Sequence, residues 1–276
     1  MLPPIHFCTT PNENSIDEQI EQNTKLYIAD IIKESKKSLQ SAQEKNGITA
    51  ATIGSSGCGK TTFIKTIFID NIFSTTTEKD VRNYGKCINK KRKRSDEPEP
   101  IVQIFTESPD ADAFQNLPKD VILDPCGFDI DNINLCYQIN RKTEKKFRFV
   151  FVLDDCIHVK GQKIIEKMFL VMRNTNISSI ISLQYPKLIP LSVRSSVYYT
   201  FLFHQNNLEP VEAIVIGWMS AYLEGKTVRD KMSTYVDWTR GGNGHRFYML
   251  DNLQKKCYRV DENYYCEQLH YVEIEK

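Results

Sequence analysis

The sequence has almost no net charge and no long apolar segment. Its 276 residues carry 36 lysines and arginines against 35 aspartates and glutamates, which leaves a net charge of +1. This balance excludes a polybasic coat protein or an acidic tail, so any contact with nucleic acid has to come from local patches. No apolar run approaches the ~20 residues that a membrane span needs. Met1–Ser15 lacks the apolar centre of a signal peptide. We therefore expect a soluble protein of the cytoplasm or nucleus.

Cysteine pairs at metal-binding spacing are missing as well. The eight cysteines form no C-x-x-C pair, and no histidine lies at zinc spacing beside a cysteine pair. We expect reduced thiols, several of them in the core, rather than a disulfide framework. The 41% of apolar and 26% of charged residues are typical of a soluble domain with a sizeable core. They exclude low-complexity disorder as a description of the whole chain.

Strands that alternate with helices are the main pattern that the sequence does show. Short apolar runs predict strands at residues 48–53, 101–105, 121–123, 149–153, 177–183 and 197–203. Apolar residues at helical spacing predict helices at residues 61–73, 164–172 and 211–222, and a terminal hairpin is predicted at 246–250 and 256–260. This alternation predicts an α/β fold with a parallel-dominated, mostly buried sheet flanked by helices.

The N-terminal region predicts one amphipathic helix. Ser15 and Glu18 match a capping box, and apolar residues at helical spacing continue from Ile16 through Tyr27 to about Lys45. We expect this helix to pack on the main domain, and packing against another copy in an oligomer is the alternative. The chain thus divides into an N-terminal helical extension, a core, and a C-terminal helix and hairpin that complete the same domain, at residues 1–46, 47–204 and 205–276.

A glycine-rich turn with the pattern G-x-x-x-x-G-K-[ST] follows the first predicted strand of the core. It consists of Gly54, Ser55, Ser56, Gly57, Cys58, Gly59, Lys60 and Thr61, with Thr62 next to it. Glycines let successive backbone N–H groups turn towards phosphate oxygens without a Cβ in the way, and the helix that follows adds the positive end of its dipole. We expect Lys60 to pair with the β- and γ-phosphates and the Thr61 hydroxyl to bind Mg²⁺. A chance match in a chain of this length has a probability of about one in a hundred.

Two aspartates end the apolar strand predicted at residues 149–153. Asp154 and Asp155 would lie at the carboxyl edge of the sheet, beside the glycine-rich turn Gly54–Thr61, which we call the phosphate loop. There Asp154 would hold Mg²⁺, directly or through water, and Asp155 would orient or deprotonate the attacking water. An apolar strand that ends in an acid is common, and its pairing with a phosphate loop earlier in the chain makes the prediction specific.

Further polar residues follow the next strand. Gln184 at its end can contact both the γ-phosphate and the attacking water, and an ordinary polar strand end is the alternative. Arg194 is a candidate arginine finger for phosphate on a neighbouring subunit, a device that accelerates hydrolysis by ~10³ to 10⁵ where measured. A surface arginine that caps a helix is the alternative interpretation of Arg194, and both interpretations apply equally to Arg173.

The order of these segments resembles the poxvirus-type DNA-packaging ATPases of large DNA viruses, which belong to the FtsK–HerA superfamily. The likeness covers roughly residues 47–260 and runs through Gly54–Thr62, Val150–Asp155 and Arg173–Arg194, of which the last is the specific part. It implies a RecA-like P-loop NTPase domain. Two positions depart from the family pattern: Asp155 stands where glutamate is common, and Asn174 stands where histidine is common.

The resemblance implies roles for single residues. They are phosphate and Mg²⁺ binding by Lys60 and Thr61, metal binding by Asp154, acid–base catalysis by Asp155, γ-phosphate sensing by Gln184 and a finger role for Arg194. It also implies a homo-oligomeric ring that hydrolyses ATP with Mg²⁺ and pumps double-stranded DNA into a preformed capsid, in contact with capsid proteins. The location it implies is a virus assembly site inside an infected cell, with transient presence on the virion.

Other classes of protein with a phosphate loop carry additional sequence motifs, and their presence or absence distinguishes these classes. A GTPase needs an N/TKxD guanine reader, and the fragment Lys119–Asp120 fails its spacing; an ABC-type signature is also missing from the sequence. A DNA-dependent ATPase of replication or recombination remains an alternative, as does a nucleotide-gated scaffold that binds ATP without turnover. We expect the basic run Lys90–Arg94 to be a solvated loop, with a nuclear-targeting signal or DNA contact as the alternative. For Arg141–Arg148, lining a DNA channel and a solvated strand lead-in are both open.

Overall fold

One ten-stranded sheet organises the part of the chain that the structure, a computed structural model, describes: residues 26–40, 46–73, 99–118, 121–124, 129–155 and 162–272. The strands are β1 (Leu26–Tyr27), β2 (Thr49–Ile53), β3 (Pro100–Thr106), β4 (Val121–Asp124), β5 (Arg148–Asp154), β6 (Ile177–Leu183), β7 (Tyr199–Leu202), β8 (Phe247–Asp251), β9 (Lys256–Val260) and β10 (Tyr265–Leu269). Their order across the sheet is β4-β3-β5-β6-β2-β7-β8-β9-β10-β1. Neighbouring strands in the part β4-β3-β5-β6-β2-β7 of this order pair in parallel. The remaining pairs are antiparallel.

Helices connect the parallel strands and cover the sheet. They are α1 (Ile28–Gln40), α2 (Lys60–Phe63), α3 (Ile130–Lys142), α4 (Gln162–Leu170), α5 (Leu191–Arg194), α6 (Leu208–Ile214) and α7 (Val228–Arg240). Two of them, α2 and α6, continue as wider π-helical turns over Ile64–Phe73 and Val215–Met219. Across the described ranges, no helix is long and apolar enough to cross a membrane.

The sheet separates two buried apolar layers. Because successive side chains of a strand point to opposite faces, Val150 and Val152 of β5 pack into one layer, and Phe151 and Leu153 pack into the other. The first layer is closed by α1, α2 and the π-helical turn, and the second by α4, α6 and α7. A parallel sheet buried on both faces explains why its strands read as continuous apolar runs rather than alternating ones. The predicted α/β, RecA-like fold is confirmed.

The structure confirms the predicted strands and corrects the N-terminal helix. That helix begins at Ile28, and Tyr27, which was predicted to be helical, lies in β1 and pairs with Tyr265 of β10 at the sheet edge. The predicted capping box at Ser15–Glu18 lies outside the described residues, as does the basic run Lys90–Arg94.

Helices α3 and α7 and strand β10 are absent from the sequence prediction. In α3 the reason is a narrow buried stripe, formed by Ile133, Cys136 and Asn140. The polar Asn140 takes a core position because its amide donates to the carbonyls of Phe147 and Thr175, at 2.9 and 2.8 Å. A buried amide with both hydrogen bonds satisfied gives no apolar signal in the sequence.

Candidate active site

The glycine-rich loop joins β2 to α2 at the carboxyl edge of the parallel strands. Its first residues are attached to both neighbouring strands, since the Gly54 N–H donates to the Leu183 carbonyl and the Ser55 N–H to the His204 carbonyl, each at 3.0 Å. Gly59 has a φ of +90°, a conformation that strains any residue with a Cβ. The backbone path of the loop is therefore fixed at its start by the sheet and at its end by a glycine.

Cys58 fills the inside of this loop. A Cβ added at Gly54 would stand 2.6 Å from the Cys58 sulfur, so the thiol occupies the space that a side chain at position 54 would need. Burial raises the pKa of this thiol, partly offset by the nearby charge of Lys60. A raised pKa keeps the thiol protonated at neutral pH, and its role is to fill the space inside the loop.

The amine of Lys60 is enclosed by the loop. It donates to the carbonyls of Gly54 and Ser55, at 2.8 and 3.0 Å, and lies 3.8 Å from the Asp155 carboxylate. Lys60 is 4% exposed, so its charge is compensated by these partners rather than by bulk water. The amine therefore lies against the first residues of the loop.

Thr61 and Asp154 form the second contact between the loop and the acids. The Thr61 hydroxyl lies 3.1 and 3.3 Å from the two carboxylate oxygens of Asp154. Burial raises the pKa of the Asp154 carboxyl, the neighbouring Ser182 hydroxyl lowers it, and the charge of Asp155 raises it further. In the part of the chain that the structure describes, no group of three or more histidines, cysteines or acids could hold a metal. The pair fits Mg²⁺ instead, which takes one or two protein oxygens and fills its other positions with phosphate and water.

Asp155, directly after β5, has an unusual backbone conformation. Its φ is +50°, in the left-handed region that non-glycine residues seldom adopt, and its N–H donates to the Ser182 carbonyl at 3.2 Å. Its carboxylate accepts from the Gln184 amide at 3.4 Å and is partly exposed. Strained backbone of this kind is concentrated at functional sites.

The strand order explains how Gln184 reaches Asp155. Strand β6 lies between β2, which carries the loop, and β5, which carries the acids. The residue that follows β6 is therefore placed between the loop and the acids. The structure thus brings together the phosphate loop, both acids and Gln184 at one edge of the sheet.

Gln205 belongs to this site and is missing from the sequence prediction. Its side chain is 4% exposed, accepts from the Ser55 hydroxyl at 3.2 Å and donates to the Gln184 carbonyl at 3.3 Å. The Asn206 N–H donates to the same Ser55 hydroxyl at 2.8 Å. Gln205 and Asn206 come shortly after the buried strand β7, so the signal that pointed to Gln184 also existed for them.

The contacts that the structure shows for the two candidate arginines are to residues outside the loop and the acid pair. Arg194 stacks on the ring of Trp218 at 4.1 Å and donates to the Ile189 carbonyl at 3.3 Å, and partial burial lowers its pKa. Arg173 donates to the Ser196 carbonyl at 3.1 Å, and its own carbonyl accepts from the Gly47 N–H at 2.7 Å. Residues 47 and 196 precede β2 and β7, so Arg173 lies at the amino edge of the sheet, opposite the loop. There it connects the segments that lead into these two strands. A finger role for Arg194 stays a prediction.

No protein-family model matches the chain, and no curated protein matches it. Solved structures do match. The chain is similar in fold to a viral genome packaging NTPase. This is NTPase B204 of Sulfolobus turreted icosahedral virus 2, which in complex with sulfate is 11% identical with a TM-score of 0.47, over 83% of this chain and 98% of that one. Its complex with AMPPCP is 14% identical with a TM-score of 0.46, over 78% and 97%. EssC (ATPases 2 and 3) from Geobacillus thermodenitrificans is 9% identical with a TM-score of 0.38, over 83% and 40%.

Proposed function

We propose that the protein binds ATP with Mg²⁺ and hydrolyses it at the carboxyl edge of the sheet, and that hydrolysis moves double-stranded DNA during the packaging of a viral genome. One observation carries the ATPase half of this proposal. Two motifs far apart in the sequence meet, with the Thr61 hydroxyl 3.1 Å from Asp154 and the Lys60 amine 3.8 Å from Asp155. This is the combination of groups that phosphoryl transfer needs, because its catalysis is mainly positioning and charge stabilisation.

Binding of the triphosphate uses groups that are already oriented. The Lys60 amine donates to the carbonyls of Gly54 and Ser55, and phosphate oxygens, which are charged, would be stronger acceptors for the same amine. Thr61 and Asp154 would hold Mg²⁺. When bound, this ion neutralises negative charge on the phosphate oxygens.

Hydrolysis needs a water that is held and deprotonated. The Asp155 carboxylate and the Gln184 amide, 3.4 Å apart and partly open to solvent, offer an acceptor and a donor for one water molecule. A positioned general base contributes about 10²- to 10⁴-fold to the rate. Gln205 connects this pair to the loop through Ser55, which would keep the water-holding groups at a defined position relative to the bound phosphate.

The DNA half of the proposal rests on the resemblance of Arg173–Arg194 to the packaging ATPases. It includes a homo-oligomeric ring, contact with capsid proteins and a location at the assembly site. In such a ring Arg194 would act on the nucleotide of the neighbouring subunit, which accords with its contacts to Trp218 and Ile189 rather than to the loop of its own chain.

The test is ATP turnover by the full chain with Mg²⁺, alone and with long duplex DNA, single-stranded DNA or RNA. We expect turnover that duplex DNA stimulates, with a stimulation that fades as salt screens phosphate contacts. Lys60→Ala should abolish turnover. Lys65→Ala should keep it, because within the described ranges the ion pair of Lys65 is with Asp70, at 2.9 Å.

Each part of the proposal has its own contradictory result. Turnover that survives in Lys60→Ala would refute the site. Stimulation by RNA alone, or by no nucleic acid, would refute the DNA half and leave an ATPase of another role. Tight ATP binding by the wild-type protein without turnover under any of these conditions would favour the nucleotide-gated scaffold.

A mixing experiment tests the finger. Subunits with Lys60→Ala still carry Arg194, and subunits with Arg194→Ala still carry an intact loop. If Arg194 acts across a subunit interface, a mixture of the two inactive variants should recover part of the wild-type rate. Full activity of Arg194→Ala by itself would remove this residue from the mechanism.

A further inference from the structure

A second glycine-rich turn, Gly241–His245, lies beside the phosphate loop. It joins α7 to β8 and closes in a short 3₁₀ turn over Gly242–Gly244, in which Asn243 has a φ of 58°. The N–H of His245 ends the turn by donating to the Gly242 carbonyl at 3.2 Å. The functions derived above for the phosphate loop and the acids do not use this turn.

Buried aromatic contacts fix the turn relative to the phosphate loop. Phe247, two residues after His245, stacks on Phe203 with ring centroids 4.4 Å apart and meets Phe63 at 5.0 Å. Phe63 is the last residue of α2, three residues after Lys60. The start of β8 and the helix of the phosphate loop therefore share one aromatic cluster, which holds the turn at a defined place.

The imidazole of His245 lies against the loop and stays open to solvent. A Cβ added at Gly59 would stand 2.9 Å from its Nδ1 and 3.5 Å from its Cε1, while the histidine itself is exposed. Because His245 contacts the loop and is exposed, a molecule bound in the loop could reach its imidazole.

The strand order determines which part of a nucleotide faces His245. On one flank of β2 lie β6 and β5, with Gln184 and the two acids. On the other flank lies β7, and β8 runs antiparallel to it, so that the residues just before Phe247 stand at the same carboxyl edge. Since the terminal phosphate must face the acids, the nucleoside must lie towards the opposite flank, where His245 is.

We propose that the turn Gly241–His245 is the nucleoside side of the site, and that the His245 imidazole stacks on the base. This inference rests on the proposed ATP site and adds to it the group that recognises the part of the ligand beyond the phosphates. An aromatic ring stacked on a base contributes affinity that is largely independent of which base is present. His245 thus contributes to binding any nucleoside triphosphate and does not touch the reacting phosphate.

The experiment compares ligands with and without a nucleoside. Affinities for ADP and for inorganic tripolyphosphate, each with Mg²⁺, are measured by calorimetry on the wild type, His245→Ala and His245→Phe. We expect ADP to bind about tenfold more weakly to His245→Ala, tripolyphosphate to bind within twofold of wild type, and His245→Phe to retain most of the ADP affinity. His270→Ala, which changes another exposed histidine, is the control and should match the wild type.

The outcomes separate this inference from the function on which it rests. Unchanged ADP affinity in His245→Ala would overturn the inference, and so would an equal loss of tripolyphosphate affinity, which would assign His245 to phosphate or to support of the loop. Failure of wild-type protein to bind ADP, or equal binding by Lys60→Ala, would overturn the proposed ATP site instead. Thermal unfolding of both His245 variants establishes that each is folded.

Discussion

Asp154→Asn should make the protein more stable and less active. Asp154 is 4% exposed, and burial raises the pKa of its carboxyl above the ordinary value of 3.8. A raised pKa means that the folded state holds the charged form less favourably than the unfolded chain does, so the charge lowers stability at every pH above the folded-state pKa. Asparagine keeps the shape and can still accept from Thr61, but it carries no charge that burial would penalise.

The contacts of Asp154 set the size of the gain. The substitution removes the burial cost of the charge and the repulsion from Asp155. It gives up the attraction of Lys60 and part of the hydrogen bonding from Thr61. Since these effects oppose one another, we expect a net gain of about 1 kcal/mol, within the range of ordinary stabilising substitutions. For a chain of this size, that corresponds to a rise in Tm of about 3 °C.

Activity should change in the other direction. The substitution removes the negative charge that the proposed magnesium site contains, next to the Thr61 hydroxyl. Loss of one preorganised charge-stabilising group lowers kcat by about 10²- to 10³-fold in enzymes where it has been measured. A stability gain together with an activity loss is the signature of a charge kept for function at a cost to the fold.

Thermal unfolding from pH 8 downwards is the assay, with Asp110→Asn in an exposed loop as control. The advantage of Asp154→Asn should be largest at pH 8. It should shrink as pH falls through the folded-state pKa of Asp154 towards 3.8, because the wild-type carboxyl then becomes neutral as well. A variant that is less stable than wild type at pH 8, or an advantage that does not depend on pH, would refute the role of burial. Undiminished turnover would refute the metal site.

Three further substitutions test other parts of the structure. Asp155→Asn should keep ATP affinity and lower kcat by about 10²- to 10⁴-fold, and a normal kcat would remove Asp155 from water activation. Gln205→Ala should lower kcat more than ATP affinity, because it releases the carbonyl end of Gln184 at which Gln205 donates; an effect on affinity alone would contradict this. Tyr235→Phe should lower the free energy of unfolding, measured with denaturant, by about 1–3 kcal/mol without changing kcat. The reason is that the buried Phe203 carbonyl loses the 2.6 Å hydrogen bond that it now accepts. An unchanged free energy of unfolding would show that this bond contributes nothing.

The polar side chains around the loop form one connected set rather than isolated groups. Ser55 is joined to Gln205, Gln205 to the Gln184 carbonyl, and the Gln184 amide to Asp155. The Lys60 amine closes the set from the other side, 3.8 Å from Asp155. A phosphate that draws Lys60 away from its present partners would therefore alter the surroundings of the group proposed to activate water.

The phosphate loop and the acids were predictable because their chemistry is local. Eight consecutive residues from Gly54 to Thr61 form the loop, and two residues directly after a buried strand form the acid pair, so residue type and spacing are sufficient to find them. The parallel strands were predictable for a related reason, since strands buried on both faces consist of continuous apolar runs. The helix α3 was not, because a buried Asn140 interrupts its apolar stripe.

By itself, then, the sequence determined the class of fold and the candidate residues of the proposed ATP site, since short-range spacing encodes both. Only the tertiary structure decided which of them meet one another. The insertion of β6 between β2 and β5 places Gln184 beside Asp155, and the antiparallel return of β8 along β7 places His245 against Gly59. Strand order depends on long-range packing of faces that are all apolar, and apolar runs of similar composition do not specify which neighbour each strand takes.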